Sequence, residues 1–245
     1  MYCINEEIYR KLDIYTKNHK KYTKCLIREI EIPINGRPEE LVRQIFLIFL
    51  IKETGLFPLN ISIKVESNNH DIEIYRKQIN DSFKPHQNPL LIVEVKREDA
   101  NLLNHYDQIQ RYLTKTGCDL GILYNYHETI AFTGEDSNFK INHLKNIRDV
   151  EELIQKKSNV TDSNLLEFEK AQNGNFESFA YLVNKYARYT TNKIVFKLKQ
   201  LPDEIEGYLF KIQRNKVYYD VCGKYSKKQQ SFDDRDFEKL ISIKY

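Results

Sequence analysis

Apolar residues recur at three- and four-residue intervals in some stretches of the chain and alternate with polar ones in others. The change between these periods marks helices and strands. The longest helical pattern is "RPEELVRQIFLIFLIKETG", residues 37–55, where Leu41, Ile45 and Phe49 with Val42, Phe46 and Ile48 make a wide apolar face. Pro38 suits its first turn, Glu39 and Glu40 suit the positive end of its dipole, and Gly55 suits its stop. Two charged amphipathic segments precede it, up to a loop marked by Pro33 and Gly36. Strand patterns follow at 60–67, 70–77 and 89–96, separated by "SNN" and by the polar loop "INDSFKPHQN". In "NLLNHYDQIQRYLTKTG", residues 101–117, Leu102, Tyr106, Ile109 and Leu113 fall at helical spacing and Gly117 supplies a stop. Strands are then predicted at 120–125 and 129–134.

The order helix, three strands, helix, two strands predicts an α/β or α+β fold, a sheet with helices packed against it. From about Asn142 to Asp162 the chain turns polar and helical, which suits a connector. Two helices broken at Asn173 and Gly174 come next, then a small antiparallel meander with a turn at Arg214 and Asn215, and a last helix near 233–241. The expected division is therefore 1–145 as the main domain, 146–160 as a helical connector, and 161–245 as a smaller α+β accessory domain.

Composition narrows the class. At 41% hydrophobic and 30% charged residues, the 245-residue chain can bury a sizeable core under a charged surface. Net charge is only +3, but residues 185–230 hold 11 basic against 4 acidic side chains, a local excess that suits a polyanion or a solvated face. The four cysteines, Cys3, Cys25, Cys118 and Cys222, form no C-x-x-C pair, which argues against a zinc site or a disulfide framework. The apolar run "IFLIFLI" is much shorter than the roughly 20 residues of a membrane span, and the first residues lack a signal-peptide pattern, so no membrane partner and a cytoplasmic location are expected. No G-x-x-x-x-G-K-[ST] loop occurs, which excludes an ATP-driven motor of that type.

Candidate chemistry lies in "PLLIVEVK". Residues two apart on a strand share a face, so Glu94 and Lys96 point together, and Asp71 lies on the "HDIEIY" strand expected to pair with theirs. Adjacent carboxylates repel unless a cation lies between them, and oxygen donors suit a hard ion such as Mg²⁺. An ion-paired sheet edge accounts for the same three residues.

Residues 37–125 resemble the N-terminal nuclease domain of type I restriction enzyme R subunits, in the PD-(D/E)xK nuclease superfamily. The resemblance rests on five ordered pieces: the 37–66 helix and strand, "HDIEIY", "PLLIVEVK", "YDQIQRYL" and "LGILYN". It implies a restriction-endonuclease-like mixed central sheet flanked by helices. Asp71 and Glu94 are then expected as metal ligands for Mg²⁺, with Mn²⁺ as a substitute, and Lys96 as the catalytic lysine. Gln108 and Tyr112, four apart on one helix flank, are expected to support the site or contact nucleic acid. Glu39 or Glu40, with Glu40 preferred, is the candidate for a further carboxylate, against plain helix-start charge. Arg43 is expected either to bind phosphate or to pair with one of these acids. The chain departs from the family in Asn69, where a basic residue is usual, in Asn125-Tyr126 and in the longer loop before Pro89.

The implied activity is metal-dependent hydrolysis of phosphodiester bonds, on DNA in preference to RNA, in restriction of foreign DNA and without ATP. The rival is a nucleic-acid-binding or oligomeric scaffold without turnover on the same fold. Of the six histidines only His70, beside Asp71, is placed to contact substrate. In the C-terminal part, lysines and arginines interleave with tyrosines and phenylalanines, which suits either a nucleic-acid grip or a homodimer interface.

Overall fold

The structure, a computed structural model, describes residues 4–78, 80–135, 138–158, 163–186, 189, 192–197, 209–213, 216–220 and 230–232. The turn expected at Arg214 and Asn215 and the last helix near 233–241 lie outside the described residues. Two compact units form: Met1–Lys77 with Asn88–Val160, and Gln78–Gln87 with Thr161–Tyr245.

The first unit opens with helix α1 (Ile4–Tyr9) and a three-stranded antiparallel sheet, β1 (Ile14–Lys17), β2 (Lys20–Lys24) and β3 (Glu31–Pro33). Asn18 and Asn68 each begin a two-residue hairpin turn in which both central residues have positive φ, at 49° and 60° for Asn18 and His19 and at 53° and 67° for Asn68 and Asn69. This is the mirror-image turn that matches strand twist and favours asparagine. Helix α2 (Pro38–Ile48) follows, then a π-helical turn, Phe49–Glu53. The amide of Thr54 closes that wider turn on the Phe49 carbonyl at 3.2 Å. The helix thus ends at Thr54 in extended backbone, one residue before the glycine expected to stop it.

The central sheet contains β4 (Ile61–Ser67), β5 (His70–Arg76), β7 (Leu91–Val95), β8 (Leu120–Tyr124), β9 (Thr129–Glu135) and β10 (Asn138–Leu144), in the order β10-β9-β8-β7-β5-β4. Between β5 and β7 in the chain lies the short β6 (Phe83–Lys84) of the second unit. The sheet is mixed: β7 and β8 are parallel, joined by helix α3 (Tyr106–Thr116), and every other pairing is antiparallel. Gly117, at φ 65°, ends α3 in the left-handed conformation, as its sequence position predicts. Helix α4 (Asp149–Ser158) closes the unit, with Val150 and Ile154 fully buried among the residues that pack with α2.

Strand alternation sends Ile72, Ile74, Val93, Val95 and Ile122 to the α2 face. It sends Ile92 and Leu123 to the α3 face, where they meet Ile109 and Leu113. This is the restriction-endonuclease-like arrangement, a mixed sheet between helices.

In the second unit, α5 (Ser163–Gln172) and α6 (Phe176–Tyr186) are separated by a turn in which Gly174 has φ 91°. Its antiparallel sheet has the order β14-β13-β12-β11-β6, with β11 (Lys193–Lys197), β12 (Leu209–Gln213), β13 (Lys216–Asp220) and β14 (Gln230–Phe232). The loop expected between β5 and β7 thus supplies a strand here. Phe83 is fully buried, with its ring 4.8 Å from that of Phe168.

Candidate active site

Antiparallel pairing of β5 with β7 sets Ile72 opposite Val93 and Glu73 opposite Ile92, so the same register carried one step further sets Asp71 opposite Glu94. Glu94 and Lys96 emerge from the end of β7 on the α3 face. The helix meets them because Asn101 caps the 3₁₀ turn Leu102–His105, accepting a hydrogen bond from the Leu103 amide at 3.0 Å. With Ile109 and Leu113 buried against the sheet, Gln108 and Tyr112 lie on the flank that faces the strand end.

Gln108 Nε2 donates to Glu94 Oε1 at 2.7 Å and to the Tyr112 hydroxyl at 3.1 Å. Lys96 Nζ donates to the same Glu94 oxygen at 2.7 Å and to Gln108 Oε1 at 3.0 Å. One oxygen of Glu94 is thereby held by two donors, while Oε2 is buried and has no hydrogen-bond partner among the described residues. Glu94 is only 5% exposed. Burial, and after it the nearby Asp71 carboxylate, pushes its carboxyl up to about 7, against the opposing pull of Lys96 and Arg43.

Asp71 has both oxygens engaged. Oδ2 accepts from the Val95 amide at 2.8 Å, and Oδ1 pairs with Arg43 Nη2 at 2.5 Å. The second terminal nitrogen of Arg43, Nη1, meets Glu40 Oε2 at 2.5 Å and Glu66 Oε1 at 2.7 Å. Of the two readings of Arg43, pairing with acids is the one seen in the structure. Glu40, 2% exposed, also accepts from Gln44 at 2.7 Å, and its burial holds its carboxyl above the usual range despite Arg43. Glu39, half-buried, takes no part in these contacts.

The donor set is all oxygen, which suits Mg²⁺. This ion is commonly held by one or two carboxylates and otherwise keeps water or phosphate oxygens. Among the described residues no group of three His, Cys, Asp or Glu side chains forms a ready-made metal cage. The physical reason is Arg43, whose guanidinium stands between Asp71 and the third carboxylate, Glu40. The unpartnered Glu94 oxygen beside the Asp71 charge is the feature that fits a cation.

Two parts of the site carry no direct sequence signal. Glu66, at the end of β4, joins Arg43 to Arg28 and is held low by both arginines against its partial burial. Glu73 is fully buried and accepts from Asn68 Nδ2 at 3.1 Å and from the Tyr75 hydroxyl at 3.0 Å. Although burial alone would raise its carboxyl, hydrogen bonds from His70, Asn68 and Tyr75 hold it low. An ionised Glu73 only accepts, so His70 Nδ1, 2.7 Å away, is the donor. The His70 ring packs edge-on against Tyr112, with centroids 4.6 Å apart. His70, 3% exposed, is therefore a buried support of Tyr112, whereas its neighbour Asp71 suggested a substrate contact. The one clue was spacing: Glu73 lies two residues from Asp71 and shares its face.

The family described as the type I restriction enzyme R protein N terminus matches residues 38–147, a little under half of the chain. That segment is similar to a nuclease-like restriction domain and contains every site residue named above except Arg28. No curated protein and no solved structure matches the chain. No described helix is long and apolar enough to cross a membrane.

Proposed function

We propose that the chain is a metal-dependent nuclease that hydrolyses phosphodiester bonds of DNA and serves in restriction of foreign DNA. The observation that carries this reading is the buried, unpartnered Oε2 of Glu94 beside Asp71, with Lys96 and Gln108 holding the other Glu94 oxygen. Similarity of residues 38–147 to a restriction-enzyme domain supports it. Asp71 and Glu94 would hold Mg²⁺, or Mn²⁺ in its place, with Glu40, which shares Arg43 with Asp71, as the further carboxylate. When bound, the ion supplies a polarised phosphate and a more acidic water.

The residues of the chain do the rest. Lys96, 17% exposed at its side chain, reaches solvent on one side and Glu94 on the other. It orients the attacking water and offsets the charge that develops on the phosphate as the P–O bond to the leaving oxygen breaks. Gln108 fixes the Lys96 ammonium and the Glu94 carboxylate relative to each other, and Tyr112, braced by His70, fixes Gln108. Arg43, paired with Asp71 Oδ1, holds that carboxylate aimed at the strand end.

The test is cleavage of supercoiled plasmid with Mg²⁺ or Mn²⁺. Wild type is expected to nick or linearise it, and Lys96→Ala to lose roughly two to four orders of magnitude in rate. Cleavage by Lys96→Ala or Glu94→Ala as fast as by wild type would refute the assignment. A second reading, a nucleic-acid-binding protein without turnover, is favoured by Arg43, which already places a cation on Asp71. It predicts no Mg²⁺ heat in calorimetry and no cleavage with any divalent ion.

A further inference from the structure

The β1–β2 hairpin lies before the segment that matches the restriction-enzyme family and has no part in the site described. Residues 14–28 contain five cations, Lys17, Lys20, Lys21, Lys24 and Arg28, and no acid. Register decides where they point. Thr23 pairs with Ile14 on one side and with Ile32 on the other, and Thr23 and Ile32 are buried, so that face is the inner one. Tyr15, Lys17, Lys20, Tyr22 and Lys24 alternate with it and share the outer face. Within the three strands Glu31 is the only acid. Its ion pair with Lys17, at 2.8 Å with both side chains about half exposed, is of the kind that contributes little and yields to a phosphate.

The ribbon is shaped to hold these charges in place. Its two-residue turn fixes the register, and the Tyr15 and Tyr22 rings stack across the strands at 6.1 Å and 19°. Lys20 and Lys24 lie four strand residues apart, about 14 Å, a span of roughly four base pairs of duplex. The turn that follows β2 leads to the site: Arg28 pairs with Glu66, Glu66 with Arg43, and Arg43 with Asp71.

We propose that the outer face of the β1–β2 hairpin is a second nucleic-acid-binding surface, in which Lys17, Lys20 and Lys24 grip the phosphate backbone of duplex DNA. The proposal rests on the reading of the chain as one that acts on DNA, and it assigns the grip to a segment outside the catalytic domain's family. A ribbon of this charge raises the local concentration of a polyanion and reads no base sequence.

The test is fluorescence anisotropy of a labelled 20-base-pair duplex in EDTA across a salt series, using the full chain. Lys17→Ala/Lys20→Ala/Lys24→Ala is expected to weaken binding about ten- to a hundredfold and to lower the log–log salt slope by roughly 2 to 3, close to 0.9 for each phosphate that is no longer neutralised. A control with the same change of charge, Lys52→Ala/Lys145→Ala/Lys156→Ala, is expected to bind nearly as wild type. Circular dichroism checks that both variants fold. Equal effects of the two triple variants, or no duplex binding by wild type, overturn the proposal. Parallel plasmid cleavage separates it from the nuclease reading. Hairpin-dependent binding without cleavage removes the nuclease and keeps the grip, whereas cleavage with unaltered binding by the hairpin variant does the reverse.

Discussion

Replacing Glu94 by glutamine is expected to stabilise the metal-free protein at alkaline pH while abolishing its response to Mg²⁺. The carboxyl is held at about 7 rather than the ordinary 4.5 by burial and by Asp71. Below the ordinary value it is protonated in both folded and unfolded chains and carries no penalty. Between the two values the unfolded chain releases its proton while the folded one keeps it, so stability falls as pH rises; above about 7 the penalty is complete. At about 1.36 kcal/mol per pH unit across that interval, the full penalty is on the order of 3 kcal/mol. Glutamine keeps the oxygen that accepts from Lys96 and Gln108 and puts an amide where Oε2 lies unpartnered near Asp71. Its advantage over wild type should therefore be small near pH 4.5 and grow to roughly 3 kcal/mol by pH 8. Guanidinium unfolding in EDTA, followed by far-ultraviolet circular dichroism at several pH values, measures this directly. Adding Mg²⁺ at about a hundred times its Kd should then raise wild-type stability by about 2.7 kcal/mol and leave the variant unchanged. A variant less stable than wild type at pH 8, or one whose advantage is the same at every pH, would show that Glu94 is not the strained carboxylate described.

Other parts of the structure give equally definite expectations. Arg43→Leu leaves buried Glu40 and Asp71 without their cation and should cost about 3–5 kcal/mol in denaturant unfolding, part of it recovered in Arg43→Leu/Glu40→Gln. Tyr112→Phe removes the acceptor of Gln108 at a cost near 1 kcal/mol, so kcat should fall about fivefold with little change in KM. A Cβ at Gly121 would meet Leu113 Cδ1 at 2.8 Å and Ile109 Cγ1 at 3.1 Å. Gly121→Ala should thus press α3 off the sheet and cost about 1–3 kcal/mol, with slower cleavage as Gln108 shifts. Phe83→Ala, at a fully buried ring packed on Phe168, should cost about 3–5 kcal/mol and, in hydrogen exchange, loosen α5 and β11 before β7.

Most of the central sheet was legible because its strands obey simple alternation. β4, β5, β7 and β8 bury one or both faces, so their apolar residues stand out, and α2 and α3 announce themselves by their apolar stripes and by Pro38 and Gly117. β10 escaped because "NFKINHL" buries no residue fully and only Phe139 and Leu144 pack partly on the two cores, too sparse a pattern to stand out from a polar linker. β6 escaped because two residues are too few to carry a period. Gly36 marked the loop ahead of α2, whereas Pro33, expected in that loop, ends β3 opposite Tyr22, and the charges on β1 to β3 hid the alternation of Thr23 and Ile32 beneath them.

By itself, the sequence determined most strands and helices of the central fold, β10 apart, and put Glu94 and Lys96 on one face of one strand. Those properties depend on spacings of two to four residues, which local backbone geometry imposes whatever surrounds it. Only the tertiary structure decided that Arg43 fills the space between Asp71 and Glu40, that Glu73 and His70 brace Tyr112 from beneath, and that Phe83 belongs to the second unit. Each of these depends on a register or a helix position set by long-range packing, where a shift of one residue would turn the side chain to the opposite face. The charge of Glu94 belongs to the same class: its residue type and face are local facts, whereas the burial and the neighbouring carboxylate that make it ready for a cation exist only once β5, β7 and α3 have come together.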